Sequence, residues 1–240
     1  MLKRFLDILF SLLGIIFLAP ITIPIMIMIW RHDHKFPFYI SPRVGKNGVL
    51  FQMIKLRSMS IDANKSGVNS TSDKDLRITP IGKKIRKYKL DELSQLWNVL
   101  IGDMSIVGPR PNVKSEIDNY TDIENQLLTV KPGITDFSSI IFSDEGKILE
   151  GKKDPDLSYN QLIRPWKSRL GLFYIKNKSN ILDLMIIFYT SISLFSKKKA
   201  LNLVNQKLIS LGADKKVVEV SMRNSELFPY HPPGSEKFFS

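Results

Sequence analysis

The chain has 240 residues, enough for one domain with a hydrophobic core but few for two independent domains. Its 35 Lys and Arg against 23 Asp and Glu give a net charge of +12, which indicates polyanionic partners: nucleic acid, anionic lipid or phosphorylated substrates. The absence of cysteine excludes disulfides, thiolate catalysis and Cys-ligated metal sites. The histidines are poorly placed for a metal, since His32 and His34 would face apart on a helix and His231 lies in a proline-rich tail.

Residues 8–30 form an apolar run of 23 residues without a charged side chain. As a helix rising about 1.5 Å per residue, this run would be roughly 35 Å long and would span a bilayer core. A signal peptide fits poorly, because the run is too long and no small-x-small cleavage motif follows it. We therefore interpret residues 1–35 as a membrane anchor.

Two prolines, Pro20 and Pro24, interrupt the middle of the anchor. Because proline lacks a backbone donor and clashes with the preceding turn, we expect a kink or reversal at Ala19 and Pro20. Both flanks are basic and favour the cytoplasmic side of the membrane. The flanking residues are Lys3, Arg4, Arg31 and Lys35. The pattern favours a re-entrant helix over a spanning one, although proline-kinked spanning helices are common.

The next part of the chain predicts a hairpin, a loop and a helix. Residues 36–60 alternate apolar and polar around a turn signal at residues 44–48, which is typical of a short β-hairpin. Residues 61–75 are polar and rich in Asn, Ser and Asp, so we expect a mobile loop. Apolar residues at helical spacing predict a helix over residues 91–100 that stops at Gly102.

The remaining chain predicts more helices. Residues 112–129 have a helical pattern that residues 131–133, Lys-Pro-Gly, break. Residues 181–195 are strongly apolar, too short to span a membrane and followed by three lysines; an interfacial helix and an ordinary buried helix fit this pattern equally. The proline-rich tail after about residue 212 is expected to be poorly ordered.

Together these elements predict an α+β fold. It consists of a small, mainly helical cytosolic domain with a short β-hairpin, anchored by one N-terminal proline-kinked re-entrant membrane helix and by interfacial helices. The anchor comprises residues 1–35 and the main domain residues 36–196. Residues 197–240 form a basic, partly disordered tail.

The chemically informative stretch is residues 86–111, where Asp91 and Glu92 open the predicted helix. Helix N-termini favour negative charge, so plain capping is the simplest interpretation of the pair. Neighbouring helical side chains point about 100° apart, so these carboxylates would play different roles rather than share one proton. Nearby cations suit phosphate binding, although each alone is more often a solvated surface charge. These cations are Lys55, Arg57, Arg77, Arg86 and Arg110.

Six short motifs follow the proline-broken anchor in order: RVG at 43–45, KLRSM at 55–59, RITPIG at 77–82, LDELSQLWNVL at 90–100, GDMSIVGPRP at 102–111 and PGIT at 132–135. Through them the chain resembles the bacterial sugar transferase family, the monotopic polyprenyl-phosphate phosphoglycosyl transferases. The resemblance runs from the N-terminus to about residue 196. It implies a re-entrant helix on the cytosolic face of the bacterial inner membrane, with residues 36–196 as the catalytic domain.

The resemblance also implies a two-step phosphoryl transfer. Asp91, matching the family nucleophile, would attack the β-phosphate of a UDP-sugar and release UMP, and undecaprenyl phosphate would then attack the phosphosugar-aspartyl intermediate. Glu92 would act as a base or positioning group. A Mg²⁺ ion with Asp91 as a ligand would neutralise the diphosphate. Arg86 and Arg110 match the family's phosphate contacts, and the secondary candidates are Lys55 and Arg57.

The chain departs from the family pattern in two places. After PGIT, many members carry Gly and then a Gly-Arg-Asn tract, whereas this chain has Asp-Phe-Ser-Ser at 136–139 and Phe-Ser-Asp-Glu-Gly at 142–146. Gly171 stands where many members have an aspartate. Arg164 or Arg169 is our candidate for supplying the missing positive charge at the substrate. The resemblance also favours an N-acetylated amino sugar over a hexose, because family members that use plain hexoses often carry extra membrane helices and this chain has a single anchor.

Two other classes of protein fit the sequence less well. A membrane-tethered protein that holds polyanions without catalysis would gain nothing from a carboxylate pair, and the sequence lacks the helices or aromatic platforms of nucleic-acid readers. A transporter would need more spans. The expected partners are therefore a UDP-sugar, undecaprenyl phosphate and membrane lipids, with no nucleic acid, and with downstream glycosyltransferases acting on the product.

Overall fold

The computed structural model describes residues 1–66, 71–72 and 74–239. The first element is helix α1, Leu2–Asp33, which continues through Pro20 and Pro24. Between the two prolines, Thr22 Oγ1 donates to Leu18 O at 3.1 Å. The helical structure is thus not interrupted at Ala19 and Pro20, and a bend there stays a prediction. Among the described residues, α1 alone is long and apolar enough to cross a membrane.

The predicted hairpin is confirmed. Strands β1, Phe38–Val44, and β2, Leu50–Leu56, pair antiparallel, with Phe38 opposite Leu56. A short 3₁₀ turn joins them, in which Asn47 and Gly48 adopt positive φ angles of 57° and 79°. Such angles are the reason for the Asn-Gly pair, since these residues tolerate the left-handed region.

Helices α2, Pro80–Lys87, and α3, Gln95–Ile101, follow the hairpin. The loop predicted over residues 61–75 begins as a 3₁₀ turn, Ile61–Ser66, while residues 67–70 and 73 lie outside the described residues. Helix α3 ends at Gly102 with φ 103°, as predicted, but it begins at Gln95 rather than at residue 91. The preceding carboxylates lie in a separate 3₁₀ turn, Leu90–Glu92.

The prediction of one helix over residues 112–129 is wrong. The structure has a single helical turn, α4, Lys114–Ile117, and then a 3₁₀ turn, Glu124–Thr129. Thr121 Oγ1 accepts from Glu124 N, and the Glu124 carboxylate accepts from Thr121 N, both at 3.1 Å. This reciprocal capping starts a new turn and directs Glu124 into the interior.

Two short parallel strands, β3, Ser105–Val107, and β4, Gly133–Thr135, join the hairpin region to a helical core. The core is built from the helices α5, Phe137–Ile141, α6, Glu145–Ile148, α7, Pro155–Leu162, α8, Arg164–Asn177, α9, Asn180–Phe195, and α10, Lys197–Ser210. Its fully buried side chains include Phe137, Ile163, Ile186, Val204 and Leu208.

Helix α9 confirms the apolar helix predicted over residues 181–195 and combines the two patterns proposed for it. Leu182, Ile186 and Tyr189 are buried in the core. The other face leaves large apolar side chains exposed to solvent, and the lysines of α10 follow at once. These exposed side chains are Ile181, Leu184, Phe188, Leu194 and Phe195.

The tail contains further helices and packs on the helical core. Residues 197–221 form α10 and a last helix, α11, Lys215–Ser221. Beyond them, the Tyr230 ring stacks on Trp166 with centroids 4.4 Å apart, and Tyr230 N donates to Gln161 O at 2.9 Å. The proline-rich segment thus contacts α7 and α8, and the sequence pattern alone does not reveal these contacts.

Helix α1 contacts the rest of the chain at both of its ends. Near its start, Lys3 Nζ donates to Asp183 Oδ2 at 2.6 Å, and Asp7 Oδ1 accepts from Ser105 Oγ at 3.0 Å. Near its end, Ile29 packs against β2 and α2. The basic residue Lys3, which the sequence marks only as a membrane flank, therefore also fixes the helix to the domain.

Candidate active site

The motif around α3 fixes this helix to the edge of β2. The fully buried Asn98 accepts from Ile54 N at 3.0 Å and donates to Gln52 O at 2.7 Å. Ser94 Oγ donates to Ile54 O at 3.1 Å. These bonds satisfy backbone groups that an edge strand would otherwise leave open. They also hold the turn that carries Asp91 and Glu92 against the strand that carries Lys55.

The turn itself is set by Lys89, which adopts a left-handed conformation with φ 53°. This conformation is uncommon for a residue with a Cβ and marks a constrained site. Lys89 Nζ donates to Ser139 O at 3.2 Å, so the turn is tied to α5 as well. Sequence reasoning missed Lys89, although it directly precedes the motif that begins at Leu90.

A crossing of two backbone segments places Arg110. Gly133 N donates to Pro109 O at 2.9 Å. A Cβ on Gly133 would lie 2.1 Å from Gly108 N, so neither segment tolerates a side chain there. Close backbone packing therefore explains Gly108 and Gly133, and it leaves Arg110 on a closely packed backbone crossing.

Arg110 and Glu92 form an ion pair, with Nη2 and Oε1 separated by 2.5 Å. Arg110 Nη1 also donates to Ile134 O at 3.3 Å. Burial alone would raise the pKa of Glu92, but the positive charges of Arg110 and then Lys55 outweigh it and lower the pKa to about 2. Glu92 is therefore ionised and paired with the Arg110 guanidinium.

Asp91 is in a different environment. Its half-buried carboxylate forms no hydrogen bond or ion pair with any residue that the structure describes. Burial raises the pKa of Asp91; the charge of Lys55 opposes that rise, and the neighbouring Glu92 adds to it. The two carboxylates thus differ as expected for different roles, one paired and one free to meet a ligand.

Lys55 lies close to both carboxylates. Burial lowers the pKa of its ammonium, Arg110 lowers it further, and the charges of Glu92 and Asp91 act in the opposite direction. Arg86 is half-buried in the last turn of α2, and its charge counteracts the rise in the pKa of Asp91. The structure therefore brings Lys55, Arg86 and Arg110 together around the two carboxylates of Asp91 and Glu92, hereafter the dyad.

The other predicted cations lie elsewhere. Arg57 is buried, with Nη2 donating to Asp33 Oδ1 at 2.7 Å and Nε to Phe36 O at 2.9 Å, so it joins the end of α1 to β2. Its charge lowers the pKa of Asp33 to about 2 through a side-chain hydrogen bond. Arg169 contacts the tail, with its guanidinium 4.6 Å from the Tyr230 ring centroid. Neither is brought to the dyad.

Arg164 does not supply the charge sought at the substrate either. Its guanidinium is buried and donates to Glu124 Oε2 at 2.9 Å, and Ser168 Oγ donates to Glu124 Oε1 at 2.6 Å. Gly171, the second departure from the family pattern, lies on α8 about one turn after Ser168. A Cβ there would lie 2.7 Å from Leu127 Cδ2, so the glycine allows close packing of α8 on the turn Glu124–Thr129.

The donor set around the dyad limits how a metal would bind. No group of three or more His, Cys, Asp or Glu side chains in the described part of the chain is arranged to hold a metal ion. Mg²⁺ often binds through one carboxylate together with substrate phosphates and water. The unpaired Asp91 fits that mode, whereas Glu92 is already paired with Arg110. The site is thus compatible with a Mg²⁺ ion brought by a diphosphate.

The chain is similar in sequence to several known proteins. The chain is 35% identical over 208 residues to undecaprenyl-phosphate galactose phosphotransferase of Salmonella typhimurium, covering 79% of this chain and 40% of that protein. It is 31% identical over 197 residues to UDP-N-acetylgalactosamine-undecaprenyl-phosphate N-acetylgalactosaminephosphotransferase of Aeromonas hydrophila, covering 79% and 42%. It is 32% identical over 203 residues to exopolysaccharide production protein ExoY of Sinorhizobium fredii, covering 78% and 83%.

The chain spans less than half the length of the first two of these relatives. A family model described as bacterial sugar transferase matches residues 1–197, which include helix α1, Asp91, Glu92 and every motif noted above. Since this match covers most of the 240 residues, the chain belongs to the bacterial sugar transferase family.

Proposed function

We propose that the chain transfers a sugar-1-phosphate from a UDP-sugar to undecaprenyl phosphate and releases UMP. The observation that carries this proposal is the unpaired Asp91 carboxylate beside Lys55 and the Glu92–Arg110 pair. An unpaired carboxylate among cations suits nucleophilic attack on a phosphate, because the cations hold the oxygens that would otherwise repel it. The names of the relatives, which include undecaprenyl-phosphate sugar phosphotransferases, point to the same substrates.

In the first step of the proposed reaction, an Asp91 oxygen forms a bond to the β-phosphorus of the UDP-sugar. The bond from that phosphorus to the bridging oxygen breaks, and UMP leaves with this oxygen. In the second step, a phosphate oxygen of undecaprenyl phosphate attacks the same phosphorus and Asp91 leaves as a carboxylate. Each step exchanges one acyl or phosphoryl anhydride for another, so positioning and charge neutralisation are the main tasks.

The side chains around Asp91 have distinct roles in this proposal. Arg110, whose planar fork suits phosphate oxygens, binds the diphosphate, and Glu92 holds the Arg110 side chain in place. Lys55 and Arg86 neutralise further negative charge at Asp91. Asp91 would be the residue that holds a Mg²⁺ ion, and the ion would supply positive charge that offsets the phosphate oxygens. The lipid-linked product is a substrate of the chemical class that glycosyltransferases extend into surface glycans.

The test of the proposed function is UMP release from the detergent-solubilised chain with Mg²⁺ and undecaprenyl phosphate. UDP-N-acetylglucosamine, UDP-N-acetylgalactosamine, UDP-glucose and UDP-galactose are supplied separately. We expect UMP with at least one sugar, and we propose an N-acetylated amino sugar as the preferred donor, with a hexose as the alternative. Binding of these nucleotides without any UMP release would contradict the proposal and favour a non-catalytic, membrane-tethered binding protein.

We further propose that α1 enters one leaflet from the cytosolic face of the inner membrane and returns to it. Support comes from the contacts at its two ends: Asp7 with Ser105, and Asp33 with Arg57, attach both ends to the same domain. A helix of 32 residues is about 48 Å long, and a straight spanning helix would carry one end across the bilayer, away from that domain. The exposed apolar face of α9 would then rest on the lipid surface.

This topology predicts the labelling of single cysteines, which is simple because the chain has none. Leu2→Cys near the start of α1 and Lys152→Cys in the helical domain are both exposed positions. We expect a membrane-impermeant maleimide to label both variants only after the cells are permeabilised. Labelling of Leu2→Cys in intact cells, with Lys152→Cys protected, would show that α1 spans the membrane.

A further inference from the structure

A second pair of opposite charges lies near the dyad and has no role in the phosphoryl transfer. Lys167 Nζ of α8 donates to Glu145 Oε2 of α6, and the same ammonium lies 5.0 Å from the centre of the Tyr159 ring. The residues come from three helices, and the ring and the carboxylate together fix the position of the ammonium. This Glu145–Lys167 pair is absent from the motifs that define the family resemblance.

The pair lies within electrostatic range of the site. The pKa of Arg110 is above its ordinary value chiefly because of Glu92, and the Glu145 carboxylate contributes to the same change. The pKa of Lys89 is lowered first by burial, and the charge of Lys167 also lowers it. Lys89 is tied to α5 at Ser139, in the segment that leads to Glu145. The pair therefore lies near Arg110 and Lys89, beside the place proposed for the diphosphate.

The chemistry of the pair does not suit a diphosphate. A carboxylate near the phosphate-binding Arg110 would repel phosphate oxygens, and Lys167 only cancels that charge. A neutral pair instead offers one strong acceptor and one strong donor side by side, which matches the hydroxyl groups of a sugar. Partial exposure leaves it open to a ligand: 17% for Lys167 and 32% for Glu145, against 2% and 0% in the Arg164–Glu124 pair.

We propose that Glu145 and Lys167 bind the sugar of the nucleotide sugar and thereby select which sugar is transferred. Glu145 accepts from a ring hydroxyl or an acylamino N–H, and Lys167 donates to a hydroxyl or acyl oxygen. The inference rests on the proposed function, because it places the sugar next to the β-phosphate held at Asp91.

The test compares Glu145→Gln, Lys167→Met and the double variant in the full-length chain. We expect kcat/KM for the preferred UDP-sugar to fall roughly 10- to 100-fold, because the variants leave polar groups of that sugar unpaired. For the least preferred sugar the change should stay within about threefold, so the ratio between sugars shrinks. Inhibition by UMP, which carries no sugar, should be unchanged. The double variant leaves no unpaired charge and controls for folding.

Asp144→Asn is the matched control. It removes the neighbouring ion pairs of Asp144 with Lys197, at 2.7 Å, and with Arg223, at 3.9 Å, which involve the start of α10 and the segment after α11. We expect it to leave the ratio between sugars unchanged. The inference is overturned if the wild type is active and the pair variants lower kcat/KM equally for all sugars, or if they weaken UMP inhibition by the same factor. The absence of UMP from the wild-type chain would instead contradict the proposed function itself.

Discussion

Asp91→Asn should abolish UMP release, with a loss of at least about a thousandfold, because an amide cannot replace a carboxylate nucleophile. The substitution is nearly isosteric, and Asp91 has no ion-pair partner among the described residues, so the fold should be unaffected. The measurement is initial-rate UMP release with the best donor sugar, together with the thermal unfolding midpoint.

Asp118→Asn is the surface control for this experiment. Its carboxylate is exposed and pairs with Lys114 one helical turn away. We expect wild-type rates from this variant, since exposed pairs of this kind contribute at most about 1 kcal/mol. Undiminished UMP release from Asp91→Asn would show that Asp91 is a capping residue and not the nucleophile.

Arg110→Lys should lower kcat/KM about a hundredfold, although it keeps the positive charge. A lysine ammonium cannot both pair with Glu92 and present a planar fork to phosphate oxygens. The loss of the bond to Ile134 O would also free the side chain from its support. The measurement is the steady-state rate of UMP release over a range of UDP-sugar concentrations. Equal activity of Arg110→Lys and wild type would exclude bidentate phosphate binding by Arg110.

Arg110→Met separates the structural from the catalytic role of the pair. Without Arg110, Glu92 loses the main cause that lowers its pKa to about 2. The low pKa of Glu92 stabilises the fold at pH values above the unfolded pKa near 4.3, and this stabilisation is lost as the pH falls towards 2. Arg110→Met should therefore remove stability at neutral pH. We expect a loss of about 1–2 kcal/mol, since both partners are partly exposed. Adding Glu92→Gln should restore stability but not activity.

The sequence anticipated those parts of the fold that local patterns determine. The hairpin followed from alternation and the Asn-Gly turn, and α9 followed from its apolar composition. The helix expected over residues 112–129 failed because capping between Thr121 and Glu124 competes with helix continuation. That competition depends on the buried partner Arg164, which lies 40 residues further along the chain.

The same limit applies to the candidate site. Arg57 and Arg110 both stand in family motifs, yet one is paired with Asp33 while the other reaches the dyad, and only tertiary contacts distinguish them. Lys89 is revealed by its left-handed backbone. Glu145 and Lys167 come from separate helices, with no shared motif that would have singled them out.

In the proposed reaction, Asp91 carries the phosphosugar between the two steps. The most direct measurement is intact-protein mass spectrometry after incubation with Mg²⁺ and the donor UDP-sugar in the absence of undecaprenyl phosphate. We predict a mass increase equal to one sugar phosphate, a matching burst of UMP, and loss of the adduct when undecaprenyl phosphate is added. An adduct of the same size on Asp91→Asn, or turnover by the wild type without any adduct, would contradict the claim.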